Sequence, residues 1–139
     1  MILADTSVWI DHLRKGNPEL QSLLHANEVL THPFIVGELA CGALQNRVEI
    51  LQHLKALPEA RQAEHHEVLL LIEKERLHGR GLGWIDAHLL ASALLTGCRL
   101  WTLDKPLAAA AKALKISLST SGGGVSSLGV TRDAEEFEA

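Results

Sequence analysis

Short apolar segments alternate with longer stretches of helical periodicity along residues 1–118 of this chain. Residues 2–4 form an apolar run that ends at Asp5, and the alternating stretch 99–103 ends at Asp104. Strands that are joined through helices need crossover connections, and crossovers place the strands parallel to one another. The pattern therefore predicts a three-layer α/β fold, with a central parallel sheet of four to five short strands flanked by helices.

The remaining elements follow from the spacing of apolar residues and from helix-breaking residues. Further strands are predicted at 28–31 and 116–118, whereas the polar stretch 58–63 is only a faint candidate. Helices are predicted after Asp5, from Pro18, and over residues 33–44, 48–57, 64–78, 84–95 and 105–114.

Composition narrows the class of protein. A chain of 139 residues suits one domain with its own core, and 47% hydrophobic residues exclude extensive disorder. No stretch approaches the ~20 apolar residues of a membrane helix, and the first residues lack the basic start of a signal peptide. Cys41 and Cys98 are too few for a disulfide framework, and we expect both to be buried. These features favour a cytoplasmic protein without a membrane partner.

The composition changes after residue 118. Residues 1–118 are predicted to form the folded domain, and residues 119–139 are rich in Gly and Ser and then acidic. Such a segment is typical of a flexible tail or a cloning remnant, although a tail that binds a partner is the alternative.

Four carboxylates are the candidates for chemistry. Asp5 and Asp104 follow predicted strands, Asp86 falls in the first turn of the helix from residue 84, and Glu38 lies among apolar residues of another helix. Carboxylates gathered at one edge of a parallel sheet repel each other unless they are protonated or bind cations. Oxygen ligands suit Mg²⁺ or Mn²⁺, which activate water and stabilise phosphoryl transfer.

Each acid also has an ordinary structural interpretation. Asp5 and Asp86 are suited to cap helices. Asp104 is suited to start a turn before Lys105, and Glu38 would lie solvated on the flank of its helix. The metal-binding hypothesis depends on the four occurring together.

Other residues carry weaker signals. Arg14, Arg80 and Lys105 are candidates for contacts with phosphate, and each of them is more often simply a solvated charge. Trp101 is expected in the core, while Trp84 remains open between packing and the stacking of a nucleobase. Most of the eight histidines are expected at the surface, since no zinc-type spacing occurs.

Taken together, the motifs resemble a PIN-domain ribonuclease of the VapC toxin type. The resemblance extends from residue 1 to about residue 118, with each motif weak alone and the set fairly specific. The segments that carry it are Leu3–Ile10, Gly37–Leu39, Trp84–Ala87 and Leu100–Asp104.

The resemblance implies a function and a site. PIN domains of this type hydrolyse single-stranded RNA with one or two Mg²⁺ or Mn²⁺ ions, are usually homodimers, and are neutralised by a VapB-like antitoxin across the active-site groove. Hydroxyls matching Thr6 or Ser7 and Thr102 support the acids in relatives. The acids that would bind metal are Asp5, Glu38, Asp86 and Asp104.

Two other classes of protein stay open. A receiver or phosphatase-like domain also uses an early acid, but it places no acid inside a mid-chain helix as Glu38 is placed here. A catalytically silent PIN fold that only binds RNA or protein is the second alternative.

The overall charge of −4 argues at face value against a nucleic-acid partner. However, residues 119–139 hold four acids and one base, which leaves 13 acids and 12 bases in the domain. Without the four candidate ligands, nine acids face 12 bases. The remaining surface is compatible with an RNA groove but too weakly basic to predict one.

Overall fold

A computed structural model describes residues 1–118; the predicted tail, 119–139, lies outside the described residues. Three parallel strands form the sheet in the order β2-β1-β3. They are β1 (Ile2–Ala4), β2 (Val29–Leu30) and β3 (Arg99–Trp101). The predicted α/β architecture with a parallel sheet is therefore confirmed.

Helices connect and flank the strands. Proline occupies the first turn of the second, third and seventh helices, where its missing N–H costs no hydrogen bond. Gly97 ends the sixth helix with a φ of 76°. The helices are α1 (Thr6–Lys15), α2 (Pro18–His25), α3 (Pro33–Ala40), α4 (Arg47–Ala56), α5 (His65–Lys74), α6 (Trp84–Thr96) and α7 (Lys105–Ala113).

The sheet has fewer strands than the four to five predicted. Within residues 1–118, the two sheet edges carry single parallel bridges where further strands were predicted. On the β2 side Thr31 pairs with Glu59, and on the β3 side Leu100 pairs with Ser117. Pro58 accepts a hydrogen bond from the Thr31 N–H but has no N–H of its own to extend the pairing. The two outer strands are therefore reduced to isolated bridges.

Two helices end four residues before their predicted limits. Beyond α3, the Arg47 guanidinium donates to the carbonyl oxygens of Ala40 and Gly42. These carbonyls are thereby satisfied outside a continued helix. Beyond α5, Arg76 adopts a φ of 54°, a left-handed conformation that ends the helix.

The core forms around the sheet. All three residues of β1 are completely buried, and Trp101 is only 2% exposed, so its predicted place in the core is confirmed. Cys98 is buried as expected, but the prediction for Cys41 is wrong: it follows the end of α3 and is exposed. None of the helices within residues 1–118 is long and apolar enough to cross a bilayer.

Connectivity brings several helix N-termini to one edge of the sheet. Helices α1, α3 and α7 each begin just after the carboxyl end of a strand. Helix α6 precedes β3 and must run back along the sheet, which places its N-terminus at the same carboxyl edge. In open parallel sheets this edge is where ligands bind.

The packing of α5 on α6 can be tested at Val68, which is fully buried against Ala87 and Ala91. Val68→Ala should lower the free energy of unfolding by about 2 kcal/mol, because two methyl groups leave a packed site. The matched control is Val48→Ala, since Val48 is helical but 72% exposed; it should change stability by less than about 0.5 kcal/mol. Denaturant titration measures both variants, and equal losses would contradict this packing.

Candidate active site

Asp5 is the most buried of the four candidate acids, with 6% of its surface exposed. Its backbone N–H donates to the Trp101 carbonyl at 3.0 Å, which ties it to β3. Its Oδ1 accepts from the Ser7 hydroxyl at 2.5 Å and from the Val8 N–H at 3.3 Å, and its Oδ2 accepts from the Thr102 hydroxyl at 2.6 Å. The carboxylate therefore caps α1 and also joins the ends of β1 and β3.

The two hydroxyls beside Asp5 have fixed orientations. The Ser7 oxygen accepts from the Leu103 N–H at 2.9 Å, and the Thr102 oxygen accepts from the Asp104 N–H at 3.0 Å. Because the backbone already donates to each oxygen, the hydroxyl protons are directed at the Asp5 carboxylate. Donors that point at a carboxylate stabilise its ionised form.

Glu38 reaches the same edge from α3. Its Oε1 accepts a hydrogen bond of 2.6 Å from the hydroxyl of Thr6, the first residue of α1. The bond joins two helices whose sequences are 32 residues apart at this point. Glu38 is exposed despite its apolar neighbours in the sequence, so its charge is solvated rather than buried.

Asp86 accepts a capping hydrogen bond, as its ordinary alternative predicted, and Asp104 caps α7 rather than only starting a turn. Asp104 Oδ2 accepts from the Leu107 N–H at 3.1 Å, and Asp86 Oδ2 accepts from the Gly83 N–H at 2.9 Å. Capping uses only one oxygen of each carboxylate. The Oδ1 atoms of both residues have no hydrogen bond within residues 1–118, so a cap and a ligand are compatible roles.

The edge carries the negative charge of the candidate acids. Burial raises the pKa of Asp5, although the hydrogen bonds it accepts offset part of this effect. Burial also raises the pKa of Asp86, and the charges of Asp104 and Glu38 raise it further. In the described part of the chain, none of the four carboxylates forms an ion pair.

The donor set fits a hard divalent cation. All four side chains offer carboxylate oxygens, and Asp86 lies close enough to Asp104 and Glu38 to feel their charges. Across residues 1–118, no group of three acidic, histidine or cysteine side chains could hold a metal ion by itself. Mg²⁺ does not require such a group, because it keeps several water ligands and commonly binds one or two carboxylates together with substrate phosphates.

Two of the three basic candidates border this edge. Lys105 is exposed and directly follows Asp104 in the chain. Arg80 is exposed in a loop that packs against α7, since a Cβ built on Gly81 would lie 3.5 Å from the Pro106 ring. Arg14 lies in the last turn of α1, away from this edge, and it lines a cleft between α1 and α3.

A cleft of about 620 Å³, here called the Glu38 cleft, opens beside the acids. It lies between α1, α3 and the loop that leads to α4, and both Arg14 and Glu38 line it. Most of its other wall is apolar. The apolar side chains are Ile10, Leu13, Leu39, Ala43, Leu44 and Ile50.

Sequence reasoning missed an aromatic row, defined here as His32, Phe34, His88, Trp84 and His65. Successive ring centroids along it lie 5.1, 4.9, 4.7 and 5.7 Å apart. The spacing of Trp84 and His88, one helical turn apart, was a usable signal, whereas the links to α3 and α5 depend on tertiary packing. Burial lowers the pKa of His32 to about 4, and five of the eight histidines are exposed as predicted.

The acids at the carboxyl edge of a parallel sheet, together with the order of the elements, define the class of protein. The chain belongs to the PIN-domain family, whose sequence profile matches residues 2–113. This membership removes the receiver or phosphatase-like alternative.

Within the family, the chain is similar to a protein named Ribonuclease VapC32 in two strains of Mycobacterium tuberculosis. Each alignment is 47% identical over 120 residues, which is 86% of this chain and 97% of the relative. The resemblance to VapC-type PIN domains is thereby confirmed.

The burial of Asp5 gives a test by pH. Since the pKa of Asp5 is raised in the fold, its ionised form costs stability above the unfolded-state value of 3.8. Asp5→Asn removes the charge but keeps a good N-cap residue. In EDTA the variant should therefore melt at a higher temperature than the parent at pH 7. The gain should disappear as the pH falls through the raised pKa of the parent carboxyl.

Asp11→Asn is the control, with the opposite expected sign. The hydrogen bond from Asn17, assisted by Lys15, lowers the pKa of Asp11, so its ionised form stabilises the fold. This variant should melt below the parent at pH 7, and the difference should shrink in acid. Thermal unfolding at several pH values measures both, and a loss of stability in Asp5→Asn at pH 7 would contradict the account of Asp5.

Proposed function

We propose that the protein is a metal-dependent endoribonuclease and the toxin of a VapBC-like toxin–antitoxin pair. The observation that carries the proposal is that Asp104 and Glu38 lie close enough to Asp86 to raise its pKa, at the edge where Asp5 is buried, and that none of the four forms an ion pair among residues 1–118. Similarity to Ribonuclease VapC32 over 86% of the chain supports RNA as the substrate. Such a toxin would act in the cytoplasm.

Mg²⁺ or Mn²⁺ would be held by Asp5, Glu38, Asp86 and Asp104, directly or through water. When bound, the cation supplies positive charge to the scissile phosphate and lowers the pKa of the attacking water.

The chain's own residues prepare the site for this role. Ser7 and Thr102 donate to the buried Asp5 carboxylate and orient it, and Thr6 holds Glu38 against α1. Arg80 and Lys105 would contact the RNA backbone beside the acids. Because these supports belong to different elements, the site depends on the fold being complete.

Activity and metal dependence are tested together. The purified protein should cut single-stranded RNA with Mg²⁺ or Mn²⁺, and EDTA should abolish cleavage. Asp5→Asn and Asp104→Asn should lower kcat on the order of 100-fold or more, because a lost ligand removes several kcal/mol of transition-state stabilisation. Asp11→Asn is the matched control and should cleave like the parent. RNA binding without cleavage by the parent would favour the catalytically silent PIN fold instead.

We also propose the partners that the VapC type implies. A VapB-like antitoxin would occupy the Glu38 cleft, placing apolar side chains on its walls and a basic side chain near Glu38. A homodimer would bury apolar residues of α5, where Leu69 and Leu70 are 56% and 66% exposed.

The antitoxin proposal can be tested at Ile10, which lines the cleft and is 41% exposed. In bacteria, the parent should stop growth when expressed alone and be rescued by the antitoxin encoded next to it. Ile10→Glu should remain toxic despite the antitoxin, because a charge in an apolar contact is costly to desolvate. Val48→Glu, on an exposed site outside the cleft, should be rescued normally. Equal rescue of both variants would place the antitoxin elsewhere.

A further inference from the structure

Trp84 differs from the other two tryptophans. It is 41% exposed, whereas Trp9 and Trp101 are 5% and 2% exposed. Its indole N–H makes no hydrogen bond within the described residues. A large aromatic surface with a free donor is left open to water, which is the usual condition of a ring that meets a ligand.

The ring is held in place from behind. His88 lies 4.7 Å from Trp84 at an interplanar angle of 83°, and His65 lies 5.7 Å away at 74°. His88 is itself buried and packs on Phe34 of α3. Two edge-to-face contacts with a buried backing fix the indole before any ligand arrives, which lowers the entropic cost of binding.

Trp84 shares the first turn of α6 with Asp86, one of the proposed catalytic acids. It is the first residue of α6 and directly follows Gly83, whose N–H donates to Asp86. Residues two apart in a helix point in different directions, so the indole and the Asp86 carboxylate leave α6 on different sides. A ligand on the indole would therefore leave the Asp86 carboxylate uncovered.

We propose that Trp84, flanked by His65, is a stacking platform for one nucleobase of the single-stranded RNA substrate, next to the nucleotide that is cut. The inference rests on the ribonuclease function proposed above and adds a base-binding subsite to it. Stacking on an exposed aromatic ring is how single-stranded nucleic acid is commonly gripped without regard to sequence. Exposed Arg80, four residues earlier, would hold the phosphates of the same strand.

The other possible occupant of the ring is a second copy of this chain. Arg80 and Lys105 favour RNA, because both are exposed at this edge and would complement a phosphate backbone beside the proposed cation. The exposed apolar residues Leu69 and Leu70 follow His65 on α5 and are the candidate for contact between chains.

The experiment compares Trp84→Phe with Trp84→Leu, each in an Asp5→Asn background that leaves RNA uncut. Fluorescence anisotropy with a labelled single-stranded 12-mer and Mg²⁺ gives Kd. Phe keeps a stacking face and should bind within about threefold of the Asp5→Asn parent, whereas Leu keeps apolar bulk only and should bind roughly 5- to 100-fold more weakly. An abasic nucleotide is then moved along the 12-mer one position at a time. At one position it should weaken binding to the Asp5→Asn protein, and at that same position it should not weaken binding to the protein that also carries Trp84→Leu.

A second measurement does not depend on the Leu variant folding. RNA should quench the tryptophan emission of the Asp5→Asn protein, because Trp84 is its exposed indole, and Trp84→Phe should abolish most of that quenching while keeping its affinity.

Two outcomes separate this inference from the proposed function. If the protein with Asp5 intact cleaves RNA but Trp84→Leu binds like Trp84→Phe, the platform is wrong and the function stands. The same holds if light scattering shows that Trp84→Leu alters only the oligomeric state. If RNA is neither bound nor cleaved, both fail.

Discussion

The buried carboxylate of Asp5 is the interaction on which the rest of this structure depends. It ends the central strand, caps the first helix and accepts hydroxyl protons from Ser7 and Thr102. Burial works against its charge, and the two hydroxyls work for it. The fold thus accepts a buried carboxyl group where β1 and β3 end, and titratable groups with shifted pKa values of this kind are common at functional sites.

The three other acids are also held by hydrogen bonds, but they are less buried than Asp5. Asp86 and Asp104 cap their helices with one oxygen and leave the other unbonded within residues 1–118, and Glu38 is steadied by Thr6. Structural and chemical roles therefore share the same side chains. Among residues 1–118, none of these acids forms an ion pair.

Much of this was predictable from sequence, because each acid adjoins an element boundary that local patterns mark. Three of the four acids could be placed at helix N-termini from the sequence. Asp5 and Asp104 each end an apolar run, and Asp86 comes two residues after Trp84, where a helical pattern begins. The strand count was not predictable, since the outer positions make only single bridges that depend on tertiary pairing. The early end of α3, with Cys41 exposed beyond it, depends on contacts from Arg47. The aromatic row likewise joins three helices whose relative placement no local pattern specifies.

The central claim is that the carboxyl edge is a divalent-cation site organised by Asp5. The most direct measurement is a calorimetric titration of Mn²⁺ into the metal-free protein. The account predicts saturable binding that is lost in Asp5→Asn and retained in Asp11→Asn, whose carboxylate lies on α1 in an ion pair with Lys15. Saturable binding that survives Asp5→Asn unchanged, or no saturable binding by the parent, would contradict it.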